Sequence, residues 1–131
     1  MYEFNYHRPK SLDDAAKSAA EAEDGKFLAG GMTLIPSMKL RLAGPSDLVD
    51  LADITDLKGI SVSGKTVTIG AMTRHFDVHS SAEVKKAIPA LAALAGGIGD
   101  PSVRHRGTIG GSMANNDPAA DYPAAVVALN A

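Results

Sequence analysis

Three short apolar runs in the first 55 residues are separated by two segments of helical pattern, and strands joined through helices pair in parallel. The first run alternates Tyr2, Phe4 and Tyr6 with polar residues and stops at Arg8-Pro9. Ser11 then stands as an N-cap with Asp14 at the capping-box position. Leu12, Ala15, Ala16, Ala19 and Ala20 form a face of small side chains that permits close packing, and Gly25 closes this helix. The second run, over 26–29, leads into Gly30-Gly31, after which Thr33 caps a helix predicted over 34–42 with Pro36 in its first turn. The third, over 47–51, completes a βαβαβ unit with right-handed crossovers, whose ligand edge lies where strands feed helices.

The pattern changes after residue 55. Residues 60–63 and 66–69 alternate around Gly64-Lys65, which predicts a hairpin with Ile60, Val62, Val67 and Ile69 on one buried face. From Thr73 to Ala95 the pattern is helical in short pieces, broken at Pro89 and stopped by Gly96-Gly97. Residues 106–112 read as a glycine-rich strand or turn, and a last helix is expected over 124–129, with Asp121 as N-cap and Pro123 in its first turn. A lone hairpin leaves strand edges unpaired, so the 131 residues are expected to be part of a longer chain.

Composition narrows the chemistry. With 13 Lys+Arg against 15 Asp+Glu the net charge is -2, so nucleic acid is not an expected partner. The longest uncharged stretch, over 87–99, has 13 residues, short of the roughly 20 that a membrane-spanning helix needs. No membrane span is therefore expected, and the expected location is the cytoplasm. The absence of cysteine removes disulfides, thiolate zinc cages, iron–sulfur clusters and thiol nucleophiles from this chain. Any redox chemistry must then use a bound organic cofactor.

Two segments carry candidate chemistry. Ala29, Gly30, Gly31, Met32 and Thr33, with Leu34 opening the next helix, place side-chain-free backbone and free N–H groups at a strand–helix junction. They read either as a diphosphate cradle or as a plain tight turn with a helix cap. Thr108, Ile109, Gly110, Gly111 and Ser112, followed by Asn115, Asn116, Asp117 and Asp121, combine glycines, hydroxyls and a nearby carboxylate suited to a ribose hydroxyl or an adenine amine. The plainer alternative is a glycine-rich strand packed on a helix, with Asp117 and Asp121 as caps. Ile98 reads as part of a turn or as an apolar lining residue, and Arg104-His105-Arg106 as a solvated turn or as charge support for a pyrophosphate. His75 and His79 lack a third metal ligand and read as a solvated helix face. No catalytic or metal-ligating residue is assigned, and GxGxxG, GxxxxGK[ST], GxSxG and HExxH motifs are absent.

In its stretches AGGMTLIPSMKLRLAGPSDLVDL, IGDPSVRHRGTIGGSMANNDPAADYPA and FNYHRPKSLDDA the chain resembles the FAD-binding medium subunits of molybdenum hydroxylases, and within them the aerobic carbon monoxide dehydrogenase branch. The resemblance implies an α+β, two-part FAD-binding fold of the vanillyl-alcohol-oxidase and molybdopterin-dehydrogenase type. The whole of 1–131 would be the N-terminal part of one FAD-binding domain, with a small βαβ subdomain over 1–55, the beginning of a larger mixed subdomain over 56–131, and FAD between them. It carries flavin contacts over to Ala29, Gly30, Gly31, Met32, Thr33 and Leu34, to Ile98, and to Thr108, Ile109, Gly110, Gly111 and Ser112, with Asp121 at the acidic position holding the adenosine part. Met32 and Asn115-Asn116 depart from the commoner residues of the family. The implied role is electron transfer from iron–sulfur clusters of a partner to an external acceptor, in a complex oxidising CO with water to CO2. The implied partners are a large molybdopterin subunit and a small [2Fe–2S] subunit, as a dimer of heterotrimers that is cytoplasmic or peripheral to the inner membrane face. A xanthine, nicotinate or aldehyde hydroxylase subunit and a non-catalytic nucleotide-binding module are the alternatives.

Overall fold

The computed structural model describes residues Met1–Ala131, which divide into two compact units, Met1–Asp56 and Leu57–Ala131. The first unit contains β1 (Asn5–His7), α1 (Leu12–Glu21), β2 (Gly25–Leu28), α2 (Leu34–Lys39) and β3 (Asp47–Asp50). Its 3-stranded sheet has the order β1-β3-β2 and is parallel throughout, with Tyr6 beside Leu48 and Phe27 beside Val49. The last strand in sequence is thus the central one. That placement explains its apolar centre: Leu48 and Val49 point to opposite faces and are 2% and 0% exposed.

α1 covers β2 and β3 and buries Ala15. Its start follows the sequence reading, since Ser11 Oγ accepts the Asp14 N–H at 3.1 Å while the Ser11 hydroxyl donates to the Asp14 carboxylate at 2.7 Å. Its end does not. The helix stops at Glu21 with an extended Ala22, and Gly25 instead opens β2, where a Cβ would come within 2.9 Å of the Ala19 carbonyl oxygen. The glycine makes room for the helix above it. At the head of β3 the Asp47 carboxyl is held below its ordinary pKa by hydrogen bonds from His7 and Ser46.

The second unit begins with the hairpin β4 (Ile60–Ser63) and β5 (Thr66–Ile69), paired as the alternation predicted, with Gly64 at φ 58° in its turn. Its apolar face is only partly covered. Ile60, Val67 and Ile69 pack on the core, whereas Val62 is 44% exposed. Six helices follow: α3 (His75–Ser80), α4 (Ala82–Ala87), α5 (Pro89–Gly97), α6 (Pro101–Arg104), α7 (Ile109–Asn115) and α8 (Asp121–Leu129). Val78, Val84, Leu91, Ala92, Ala95 and Tyr122 form the core of this unit. Two segments differ from the sequence pattern. The 106–112 segment contributes one bridge, Thr108 to Arg74, and then becomes α7 because Thr108 caps it. α8 is preceded by Ala120 at the N-cap without a side-chain cap, so Asp121 is its first residue, where a carboxylate favours the helix end electrostatically.

Truncating the central strand tests which contacts carry the first unit. Leu48→Ala is expected to cost about 2–5 kcal/mol by chemical denaturation. Leu42→Ala, at a side chain 78% exposed, should change stability by less than about 0.5 kcal/mol.

Candidate functional site

The bend between β2 and α2 is built from glycine backbone. Gly31 has φ 73°, where a side chain is strained, and a Cβ there would lie 2.9 Å from Ile35 Cγ1 and 3.1 Å from Leu28 Cδ1. The bend leaves its donors unused. Ile35 N–H reaches the Gly31 carbonyl at 3.1 Å and Ser37 N–H reaches that of Thr33 at 3.2 Å, but the amides of Gly30, Gly31, Met32, Thr33 and Leu34 have no acceptor within the chain. Thr33, at the N-cap, makes no capping hydrogen bond with its side chain. A consecutive run of N–H groups with a free hydroxyl beside it is a donor set suited to an anion with several oxygens.

The second glycine segment resembles the first in sequence and differs from it in bonding. Thr108 Oγ1 accepts Gly111 N–H at 3.1 Å, and the Thr108 carbonyl accepts Ser112 N–H at 3.0 Å. Ile109 N–H donates to Thr73 O at 3.0 Å and Gly110 N–H to Ala71 O at 2.8 Å. The amides of 109–112 are therefore all committed to the chain. Gly110 is a packing residue as well, since a Cβ would stand 2.5 Å from Ala71 Cβ and 2.7 Å from its carbonyl oxygen. What this segment can offer a ligand is the Ser112 hydroxyl and close main-chain approach, not an amide cradle.

The remaining sequence candidates lie in the same second unit. Ile98 follows α5 and packs half-buried against the core, as does Ile109. The Ile98 and Gly99 carbonyls accept from Arg104 Nη1 at 3.2 and 2.8 Å, so Arg104 clasps the α5–α6 turn through one of its guanidinium nitrogens. Asp121 is exposed at the start of α8. The acidic Asp117 caps a local turn by accepting Ala119 N–H at 2.9 Å.

The histidines depart from the sequence reading. His75 is 4% exposed and pairs through Nδ1 with the Tyr122 hydroxyl at 3.3 Å. The His79 ring sits over Gly96 and pairs with the Ala92 carbonyl at 2.9 Å. Neither lies on a solvated helix face. Burial lowers the His75 pKa below 6.5, partly opposed by Asp121, and burial raises that of the Tyr122 phenol with Asp121 adding to it. Nothing in the local pattern signalled His75, because its partner is 47 positions away in sequence.

The profile of the FAD binding domain in molybdopterin dehydrogenase matches residues 2–131. The carbon monoxide dehydrogenase medium chain of Hydrogenophaga pseudoflava is 47% identical over 129 residues, covering 98% of this chain and 45% of that one. The glyceraldehyde dehydrogenase medium chain of Sulfolobus acidocaldarius is 41% identical over 129 residues, with 98% of this chain and 46% of that one covered. A solved structure of the Hydrogenophaga pseudoflava carbon monoxide dehydrogenase, in a form lacking the Mo-pyranopterin moiety, superposes with TM-score 0.94 at 48% identity, covering 96% of this chain and 44% of that one. The chain thus spans about half the length of the relatives it matches, and its two-part mixed fold is theirs.

The buried His75 gives a pH dependence of defined sign. A base whose folded pKa lies below its unfolded value binds fewer protons folded than unfolded, so its contribution is complete above about pH 6.5 and is lost as pH falls below that. Thermal melts between pH 7.5 and 5 should show stability falling with acid, at no more than about 1.4 kcal/mol per pH unit from this group. The His75→Asn variant should lose that component of the slope.

Proposed function

The chain belongs to the family of FAD binding domains in molybdopterin dehydrogenases, and from this we propose that it is the FAD-holding part of an electron-transfer subunit in a molybdenum-containing hydroxylase complex. The observation that carries the reading is the run of unpartnered amides at 30–34, arranged around the positive φ of Gly31. In the first unit these amides and the Thr33 hydroxyl hold the diphosphate, whose oxygens accept several N–H groups at once. Ala29 sets the approach of the strand to that bend, and Met32, 38% exposed, flanks it. In the second unit Ser112 and the main chain at Gly110 and Gly111 lie against the cofactor, with Thr108 capping the helix that carries them. Ile98 and Ile109 supply apolar contact, and Asp121 accepts hydroxyl or amine hydrogens of the adenosine part. FAD supplies the capacity to accept and release electrons one or two at a time; the protein's task is to bind it, orient it and shield it.

The 47% identity to a carbon monoxide dehydrogenase medium chain favours a complex that oxidises CO with water to CO2. The 41% identity to a glyceraldehyde dehydrogenase medium chain supports a second reading, in which the substrate is an aldehyde. In either case the reading assigns the iron–sulfur clusters to a small partner subunit and the molybdenum cofactor to a large one, assembled as a dimer of heterotrimers; the 131 residues carry no cysteine that could ligate a cluster. A cytoplasmic location, soluble or at the inner membrane face through the complex, completes the proposal; no helix is long and apolar enough to cross a membrane.

Thr33 separates binding from folding, because its side chain caps nothing in the chain. In the native protein, Thr33→Ala should weaken FAD binding about two- to tenfold, the range of one hydrogen bond, and leave the melting point of the FAD-free form unchanged. Gly31→Val should abolish stoichiometric FAD, whereas Gly110→Val should first lower stability through Ala71. A native protein that purifies without flavin and binds none in titration contradicts the proposal.

A further inference from the structure

We propose that His75 is a positioning residue for the flavin, fastening the segment that carries Thr108 and Ser112 and the helix start that carries Asp121 to a single buried point; the inference rests on the flavin reading above. His75 opens α3, and its N–H donates to the Gly107 carbonyl at 3.0 Å. Its ring seats directly on Gly107, where a Cβ would meet Nε2 at 2.5 Å, so the imidazole touches backbone one residue before Thr108. The neighbouring residues continue the attachment. Arg74 bridges to Thr108, and the Thr73 carbonyl accepts Ile109 N–H at 3.0 Å.

On its other side the same ring meets Tyr122. Nδ1 and the phenol hydroxyl are 3.3 Å apart and the rings are tilted by 42° with centroids 5.3 Å apart. Tyr122 is 0% exposed and directly follows Asp121, so the pair fixes where α8 begins. α7 and α8 also pack on each other, but apolar packing tolerates sliding, while a buried hydrogen bond sets a distance and a direction. An aliphatic pair would fill this space without the desolvation cost of an imidazole and a phenol. The polar pair stands where both flavin-contacting segments meet it, and a cofactor site needs its contacting groups held to within about 0.5 Å.

The test uses the native protein with its cofactor and the variants Tyr122→Phe, His75→Leu and His75→Asn. FAD affinity of the folded apoprotein, visible circular dichroism of the bound flavin and the thermal midpoint are measured on each. Tyr122→Phe keeps the ring and removes only the hydroxyl, so it carries the test even if His75→Leu does not fold. The expected result is a two- to tenfold weaker affinity, about the weight of one hydrogen bond, with an altered visible dichroism for both Tyr122→Phe and His75→Leu. The double variant should be no weaker than the singles, and His75→Asn, which places a polar atom where Nδ1 stands, should recover part of the loss. If Tyr122→Phe only lowers the thermal midpoint and binds FAD with unchanged affinity and dichroism, the positioning role is overturned and the flavin reading stands. If the unsubstituted protein holds no FAD, both fall.

Discussion

A peptide N–H kept out of helix and sheet must be met by something else, and this chain withholds a consecutive run of them at the bend between β2 and α2. Gly31 makes the run possible. At φ 73° it turns the chain so sharply that α2 starts without taking up the amides before it, and its missing Cβ leaves the space that Ile35 and Leu28 close in on. The parallel sheet is the support for this arrangement. β3, buried on both faces, fixes β2 at its side through four paired positions, from Gly25 to Leu28, and the Leu51 N–H extends the hold by donating to Leu28 O at 3.0 Å. The bend is therefore anchored at its entry and unsatisfied at its centre, which is the condition for binding an anion without reorganisation.

Glycine does different work in the second unit. There it is repeatedly the space into which a neighbour fits: Ala71 against Gly110, the His75 ring against Gly107, the His79 ring against Gly96. The Gly107 amide and those of 109–112 are spent on the chain itself. Two Gly-Gly pairs that look alike on paper thus have opposite fates, one presenting donors and the other locking a helix start in place. A helix start so locked holds its outward groups, Ser112 and the first turn of α7, at fixed positions.

Much of this was legible in the sequence where the governing physics is local. The Ser11 cap, the hairpin around Gly64 and the breaks at Pro89 depend on neighbours within a few residues, and each is found where the pattern puts it. The strand that would be central was not marked as such, although the apolar centre of β3 carried the signal. The misreadings share a cause. Gly25 reads as a helix stop and Gly110 as part of a ligand loop or a packed strand, yet the space each leaves is filled by a helix above the one and a loop beside the other. For His75 and His79, helical spacing shows that the two align, not which face is covered. The charge of Arg104 is legible in the sequence, but not that its Nη1 donates to the two main-chain carbonyls of Ile98 and Gly99. The two glycine segments differ in bonding for the same reason, since whether an amide is free depends on residues such as Ala71 and Thr73 that lie far upstream.

The central claim, that the 30–34 amides are held open for the cofactor's diphosphate, is tested most directly by residue-resolved amide hydrogen exchange on the native protein with and without FAD. Fast exchange is expected at Gly30, Gly31, Met32 and Thr33 in the FAD-free form, and strong protection once FAD is bound. Amides 109–112, already bonded within the chain, should be slow in both. Unchanged exchange at 30–34 on saturation with FAD would contradict it.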